Sequence, residues 1–178
     1  MIKYCLEKWD KNCAKLENAI RQDTLINECK YDYLVNLVVT YILNDGEDVS
    51  HISDNDILKT REEDNKYIWD NGKITKIGDG GWQGTLLFLI PRKEGYLAEY
   101  DYLMTYVDYG SCSGCDTLQS IQYSIDLYSI PKIPVEKQVK DYMLLCKDIV
   151  SNMIRSYNHG WRKEERFEQV EMDVMKEE

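Results

Sequence analysis

Six apolar residues near the start of the chain, Ile2, Leu6, Trp9, Cys13, Leu16 and Ile20, step by 4, 3, 4, 3 and 4. That spacing follows one face of an α-helix and predicts the first element. The polar run Arg21 to Thr24 interrupts it. A second helix is expected over Cys29 to Leu43, where Leu34, Val35, Leu37, Val38, Val39, Tyr41 and Ile42 cover most of the circumference. Such an element belongs at the centre of the core. Asn44, Asp45 and Gly46 end it, since these residues accept the turn conformations that close a helix. The two helices are expected to form a hairpin. The clearest stripe comes late: Val135, Val139, Tyr142, Cys146, Ile149 and Met153 repeat the 4, 3, 4, 3, 4 stepping. Pro134 suits its first turn, and Asn158 and Gly160 are the expected stop. Beyond Trp161 the chain is charge-dense, with Phe167, Val170 and Val174 at helical spacing, a peripheral helix or a segment ordered by a partner.

Between the helical regions the period changes to that of strands. Tyr67 to Ile77 holds an Asn71–Gly72 turn between short β-prone runs, a hairpin signal. Gly78 to Gly84 is a glycine-rich loop, and Thr85 to Ile90 an almost wholly apolar strand that Pro91 is expected to end. After a return turn at Gly95, Tyr100 to Tyr109 supplies the partner strand. Alternation puts Tyr100, Tyr102, Met104 and Tyr106 on one face and Asp101, Leu103, Thr105, Val107 and Tyr109 on the other. The turn Gly110 to Cys115 leads into a helix capped by Asp116, with Gln119 at the capping-box position and Leu118, Ile121, Ile125 and Tyr128 on its buried face. Pro131 and Pro134 separate it from the last long helix.

The expected fold is therefore α+β. An antiparallel sheet of about 3–4 strands in the middle of the chain packs on the N-terminal helical hairpin and the C-terminal helices. One domain spans 1–178: hairpin 1–43, acidic connection 44–66, sheet 67–109, helices 116–157 and charged tail 158–178.

With 178 residues, 43% hydrophobic and 30% charged, the chain can bury a core without a disulfide or metal staple. The longest apolar run, Leu86 to Ile90, is too short to span a bilayer, and the N-terminus has no apolar signal core. Six cysteines (Cys5, Cys13, Cys29, Cys112, Cys115, Cys146) are expected as reduced thiols, because Cys13 and Cys146 lie on apolar helical stripes. Cytoplasm is the expected compartment. Fourteen Tyr against two Phe favours partly wet contact surfaces.

Charge changes the picture most. The formal net charge is −10, and Asp45, Glu47, Asp48, Asp54, Asp56, Glu62, Glu63 and Asp64 lie in one stretch with only Lys59 and Arg61. Six of the ten net charges thus sit there, which repels a phosphate backbone and attracts a basic partner. Within it, Ser53 and Asp56 have capping-box spacing and predict a short helix to about Arg61.

The chemical signals are sparse. Cys112 and Cys115 form a CxxC pair that reads first as a tight structural turn, then as half a zinc site or a redox pair. Both sulfurs precede the helix expected at Asp116, and no second CxxC or HxxxH completes a zinc site. Gly78 to Gly84 lacks the lysine and following helix of a phosphate loop and reads as a turn. His51, Asp54 and Asp56 lack the spacing of a calcium loop, and His159 beside Gly160 reads as a helix-end residue. No catalytic residue, metal or cofactor is assigned. The stripe Tyr100, Tyr102 and Tyr106 is expected to pack beneath a helix layer; its second use is a protein-contact face, and base stacking comes last because Asp101 and Asp108 accompany it.

WQGTLLFLIP followed by YVDYGSCSGCDTLQ, within Gly81 to Gln119, resembles small uncharacterised proteins of bacteriophages and prophages, in which two strands lead into a G-x-C-x-x-C-D-x-L-Q-like turn and helix. The resemblance covers about a fifth of the chain and implies a small accessory protein that blunts a host system. In size and acidity the chain is also similar to anti-CRISPR proteins. The expected function is non-catalytic: an acidic inhibitor of a host nucleic-acid-handling protein, binding through the eight acids named above with Tyr100, Tyr102 and Tyr106. No direct contact with nucleic acid or membrane is expected. The alternatives are a zinc or thiol-redox protein built on Cys112 and Cys115, and a small-nucleotide-sequestering protein.

Overall fold

A computed structural model describes residues 2–53, 56, 68–78, 80–93, 102–123 and 133–156. Helix α1 runs Ile2–Gln22 and α2 Tyr31–Val38, joined through a short 3-10 turn at Ile26–Glu28. Helix α2 continues into one wide π-helical turn, Val39–Leu43. Strands β1 (Thr75–Gly78), β2 (Gly84–Pro91) and β3 (Tyr102–Tyr109) follow, then α3 (Thr117–Gln122), α4 (Glu136–Ser151) and β4 (Ile154–Ser156). The sheet order is β1-β2-β3-β4, with every neighbouring pair antiparallel. This is the α+β architecture expected from the sequence.

One hydrophobic cluster joins the helices to one face of the sheet. It includes Trp9, Leu16 and Ile20 of α1, Leu34, Val35 and Val38 of α2, Phe88 and Ile90 of β2, Leu103 and Val107 of β3, and Val139, Tyr142, Cys146 and Ile149 of α4. The buried face of α1 is Cys5, Trp9, Asn12, Leu16 and Ile20, so it is rotated from the expected stripe, and Leu6 and Cys13 lie at its border. Asn12 enters the core because its amide donates to the Ile42 carbonyl at 3.0 Å and to Asp45 at 2.7 Å. Buried polar groups are tolerated when hydrogen-bonded.

Three expectations need adjusting. Asn71–Gly72 forms a turn, but the described residues 68–77 form no hairpin across it: Trp69 bridges Arg92, whereas β1 pairs with β2 from Thr75↔Leu89 to Gly78↔Leu86. Pro91 does end β2, but as its last paired residue rather than as the residue beyond it. Its carbonyl accepts the Asp70 N–H at 2.8 Å, a bond that needs no donor from proline. Helix α4 stops at Ser151 with Asn152 as its C-cap, and the chain turns back as β4 beside β3. Met153 is buried as the stripe required, although it lies just past the helix.

Sheet and helix are stitched where α4 ends. The Thr105 hydroxyl donates to the Ile149 carbonyl at 2.7 Å, and the Asn152 amide donates to the Tyr106 carbonyl at 3.3 Å. Carbonyls in the last turn of a helix have no partner within it, so Thr105 supplies one to Ile149 in a buried setting. No helix of the described residues is long and apolar enough to cross a membrane.

Candidate functional site

The acidic arm leaves the core at the end of the π turn. Asp45 has φ 59 and Gly46 φ 93, the left-handed pair that reverses the chain there. Asp45 points inward to α1. Its carboxylate lies 2.8 Å from Lys8 Nζ and 3.5 Å from Lys11 Nζ and accepts from Asn12, while Lys15 donates to its carbonyl at 2.7 Å. Of the expected partner-binding acids, Asp45 is thus spent within the fold. Glu47, Asp48 and Asp56 are exposed. Asp54, Glu62, Glu63 and Asp64, and Tyr100 of the aromatic stripe, lie outside the described residues.

The arm is held by a buried polar network that the sequence reading missed. The Asn71 side chain donates to Thr40 Oγ1 at 3.0 Å and to Asp48 at 2.8 Å, and accepts the Val49 N–H at 3.2 Å. The Asn71 carbonyl accepts from Asn36 at 2.8 Å. Asn44, expected only as a helix stop, pairs through both ends of its amide with the backbone of Trp69, at 2.8 and 3.0 Å. Lys93 and Asp70, both buried, approach to 3.7 Å, and Lys93 also donates to the Val49 carbonyl. A Cβ on Gly72 would meet Ser50 at 2.9 Å, so only glycine lets the arm lie this close. A polar side chain inside a segment of strand character was the available signal, but it read equally well as turn chemistry. At Asp48 the bond from Asn71, and then that from the Ser50 N–H at 3.0 Å, pull the carboxyl down to about 2. Ser53 and Asp56 make one half of the expected capping box, Ser53 Oγ accepting the Asp56 N–H at 3.4 Å and donating to Asp56 Oδ2 at 2.6 Å, and the helix expected to run on to about Arg61 lies outside the described residues.

Among the described residues, Tyr102 and Tyr106 of the tyrosine stripe do not pack beneath helices. Leu103, Thr105 and Val107 face the helix layer and are buried; Tyr102, Met104 and Tyr106 point the other way. Register places Tyr106 opposite Leu87, Met104 opposite Leu89 and Ile154, and Leu87 opposite Ile77. Among the described residues no helix covers this face. Ile77 is 48% exposed and Tyr106 40%, with Leu87, Leu89, Met104 and Tyr102 half-buried. The loop between β1 and β2 adds Trp82, 87% exposed. The Tyr109 hydroxyl donates to the Gly81 carbonyl at 3.0 Å, tying that loop to the end of β3.

At the same end of the sheet lies the Cys112–Cys115 turn. Both thiols are exposed, and the sulfurs are 2.6 Å apart. The turn is closed by the Cys115 N–H donating to the Cys112 carbonyl at 3.0 Å, and the Cys112 N–H donates to Cys115 Sγ at 3.1 Å. Asp116 caps α3 as expected, accepting the Gln119 N–H at 2.9 Å. It also accepts from the buried Tyr31 hydroxyl at 3.1 Å and the Gly110 N–H at 3.1 Å, fastening the base of the turn to α2 and β3. The Gly110 backbone is pressed on Cys115: a Cβ there would stand 2.5 Å from its carbonyl oxygen and 2.6 Å from its sulfur. The hydrogen bond from Cys115, then one from the Gly114 N–H, lower the Cys112 pKa, whereas burial pushes Cys5 and Cys29 up to about 12 and raises Cys146. Among the described residues no group of three or more His, Cys, Asp or Glu is placed to hold a metal ion. His51 is exposed, and His159 lies outside the described residues.

No family model matches the chain, and neither does any curated protein or solved structure.

Proposed function

We propose that this chain is a non-catalytic accessory protein, of phage or mobile-element origin, that inhibits a basic nucleic-acid-handling protein in the cytoplasm of its host. The observation that carries the reading is the open face of the sheet, where Tyr102, Tyr106, Leu87, Leu89 and Ile77 have no helix over them among the described residues. Exposed aromatic and aliphatic side chains on a rigid sheet supply the anchors of a protein interface. A net charge of −10 supplies steering toward a positive partner, and the exposed Glu47, Asp48 and Asp56 contribute to it. The phage context rests on the G-x-C-x-x-C-D-x-L-Q resemblance at Gly110 to Gln119.

The test is competition. Purified host nucleases are bound to labelled DNA, and the chain is added at rising salt. The expected result is displacement of DNA that weakens with salt, slows in the double variant Glu47→Lys, Asp48→Lys, and is lost in Tyr106→Ala. Displacement that ignores salt, or none with any basic host nuclease, would count against the reading.

A further inference from the structure

The geometry points to Cys112 and Cys115 as a thiol–disulfide exchange site that takes low-molecular-weight or protein disulfides, with Cys112 the attacking sulfur and Cys115 the resolving one. The inference is independent of the protein-binding surface. Of the six cysteines, these two are exposed; Cys5 and Cys146 are buried and Cys13 and Cys29 half-buried. A turn closed by the hydrogen bond from Cys115 N to Cys112 O brings its first and last Cα atoms within about 7 Å, which overlaps the separation a disulfide spans. With the sulfurs already in contact at 2.6 Å, ring closure asks for little backbone movement.

The roles follow from what surrounds each sulfur. Cys115 Sγ is hemmed in by the Gly110 backbone and takes the Cys112 N–H. A Cβ on Gly114 would stand 3.9 Å from Cys112 Sγ, an ordinary contact, so Cys112 is less crowded there than Cys115 is at Gly110. Its thiolate is favoured by donors from Cys115 and the Gly114 N–H. The base of the turn is rigid, because Asp116 holds the Gly110 N–H and the Tyr31 hydroxyl, and the Gln119 amide donates to the Gly110 carbonyl at 3.0 Å.

The chemistry balances with an external disulfide R–S–S–R as oxidant. The Cys112 thiolate attacks one sulfur, forming Cys112–S–S–R and expelling R–S⁻. The Cys115 thiolate then attacks Cys112 Sγ, forming the Cys112–Cys115 bond and expelling the second R–S⁻. The two cysteine protons pass through solvent to the released thiolates, so the pair loses two electrons and the external disulfide becomes two thiols. A dithiol of lower potential reverses both steps.

The experiment equilibrates the full chain in glutathione buffers of stepped redox ratio, quenches with acid and reads intact mass and peptide maps. The expected result is loss of two hydrogens, mapped to a Cys112–Cys115 link, with a single midpoint. Cys115→Ser is expected to trap glutathione on Cys112, and Cys112→Ser to trap little. Alkylation of the native wild-type chain, which needs no variant, is expected to label Cys112 first, at a pH below that of an ordinary thiol near about 8.5. Absence of the intramolecular link at every ratio, or faster alkylation at Cys115 than at Cys112, would overturn the assignment. So would stoichiometric zinc that shields both thiols.

Discussion

Asn71 carries more of this structure than its place in an Asn–Gly turn suggests. Its amide holds Thr40, Asp48 and the Val49 N–H at once, and its own carbonyl takes Asn36. Replacing it with alanine strands the Val49 N–H in a buried site, so Asn71→Ala is expected to cost about 1–3 kcal/mol in urea unfolding. The same variant tests the electrostatics of the arm. Asp48 has a folded pKa of about 2 against 3.8 when unperturbed, so its contribution to stability is present above about pH 4 and is lost as pH falls toward 2. In Asn71→Ala the carboxyl titration of Asp48, followed by NMR, is expected to move back up toward 3.8, flattening that part of the acid limb. Gly110 is the second residue whose identity is set by contact: Gly110→Ala places a methyl 2.5 Å from the Cys115 carbonyl. A lower Tm and a changed alkylation rate at Cys112 are the expected readouts, since the turn must open to admit the methyl.

At the scale of elements, helix ends and strand partners were the features least visible in the linear chain. The stripe ending at Met153 marks a buried position correctly but does not say that the helix stops at Ser151. Helical periodicity and a single inward residue after a C-cap look alike until β4 is seen beside β3. The π turn at Val39–Leu43 is likewise hidden, because one wide turn leaves an apolar run apolar. It opens the carbonyl ladder, so that the Asn44 N–H bonds Val39 O and the Gly46 N–H bonds Thr40 O, both at 2.9 Å. The Thr105–Ile149 bond is the seam between layers. Thr105→Val removes the donor and leaves a buried helix-terminal carbonyl unpaired, for an expected loss of about 1–3 kcal/mol in chemical denaturation. The Arg21 fork that spans Glu17 and Glu136 joins α1 to the start of α4 on an exposed surface and is expected to matter little, because water screens such pairs.

At the scale of the whole molecule the decisive fact is one-sidedness. Helices cover one face of a four-stranded sheet, and among the described residues none covers the other. Neighbouring residues of β3 should therefore respond oppositely. Leu103→Ala opens a cavity in the core and is expected to cost about 2–5 kcal/mol. Tyr106→Ala removes mainly a cross-strand contact with Leu87, worth under about 1 kcal/mol, while abolishing the proposed partner competition. Thermal melts of the two variants beside the competition assay separate folding from binding.

What the chain dictated alone was periodicity: the helical stepping of α1, α2 and α4, the alternation of β3, the α+β class, and the Asp116 cap, each set by neighbours a few residues apart. Which face of β3 turned inward, which acids stayed on the surface and what Asn44 and Asn71 were for required the tertiary structure. Alternation specifies two faces without saying which one a helix will cover, and a carboxylate's charge is free or spent according to lysines that lie more than thirty residues away in the chain, as Lys8 and Lys11 do from Asp45.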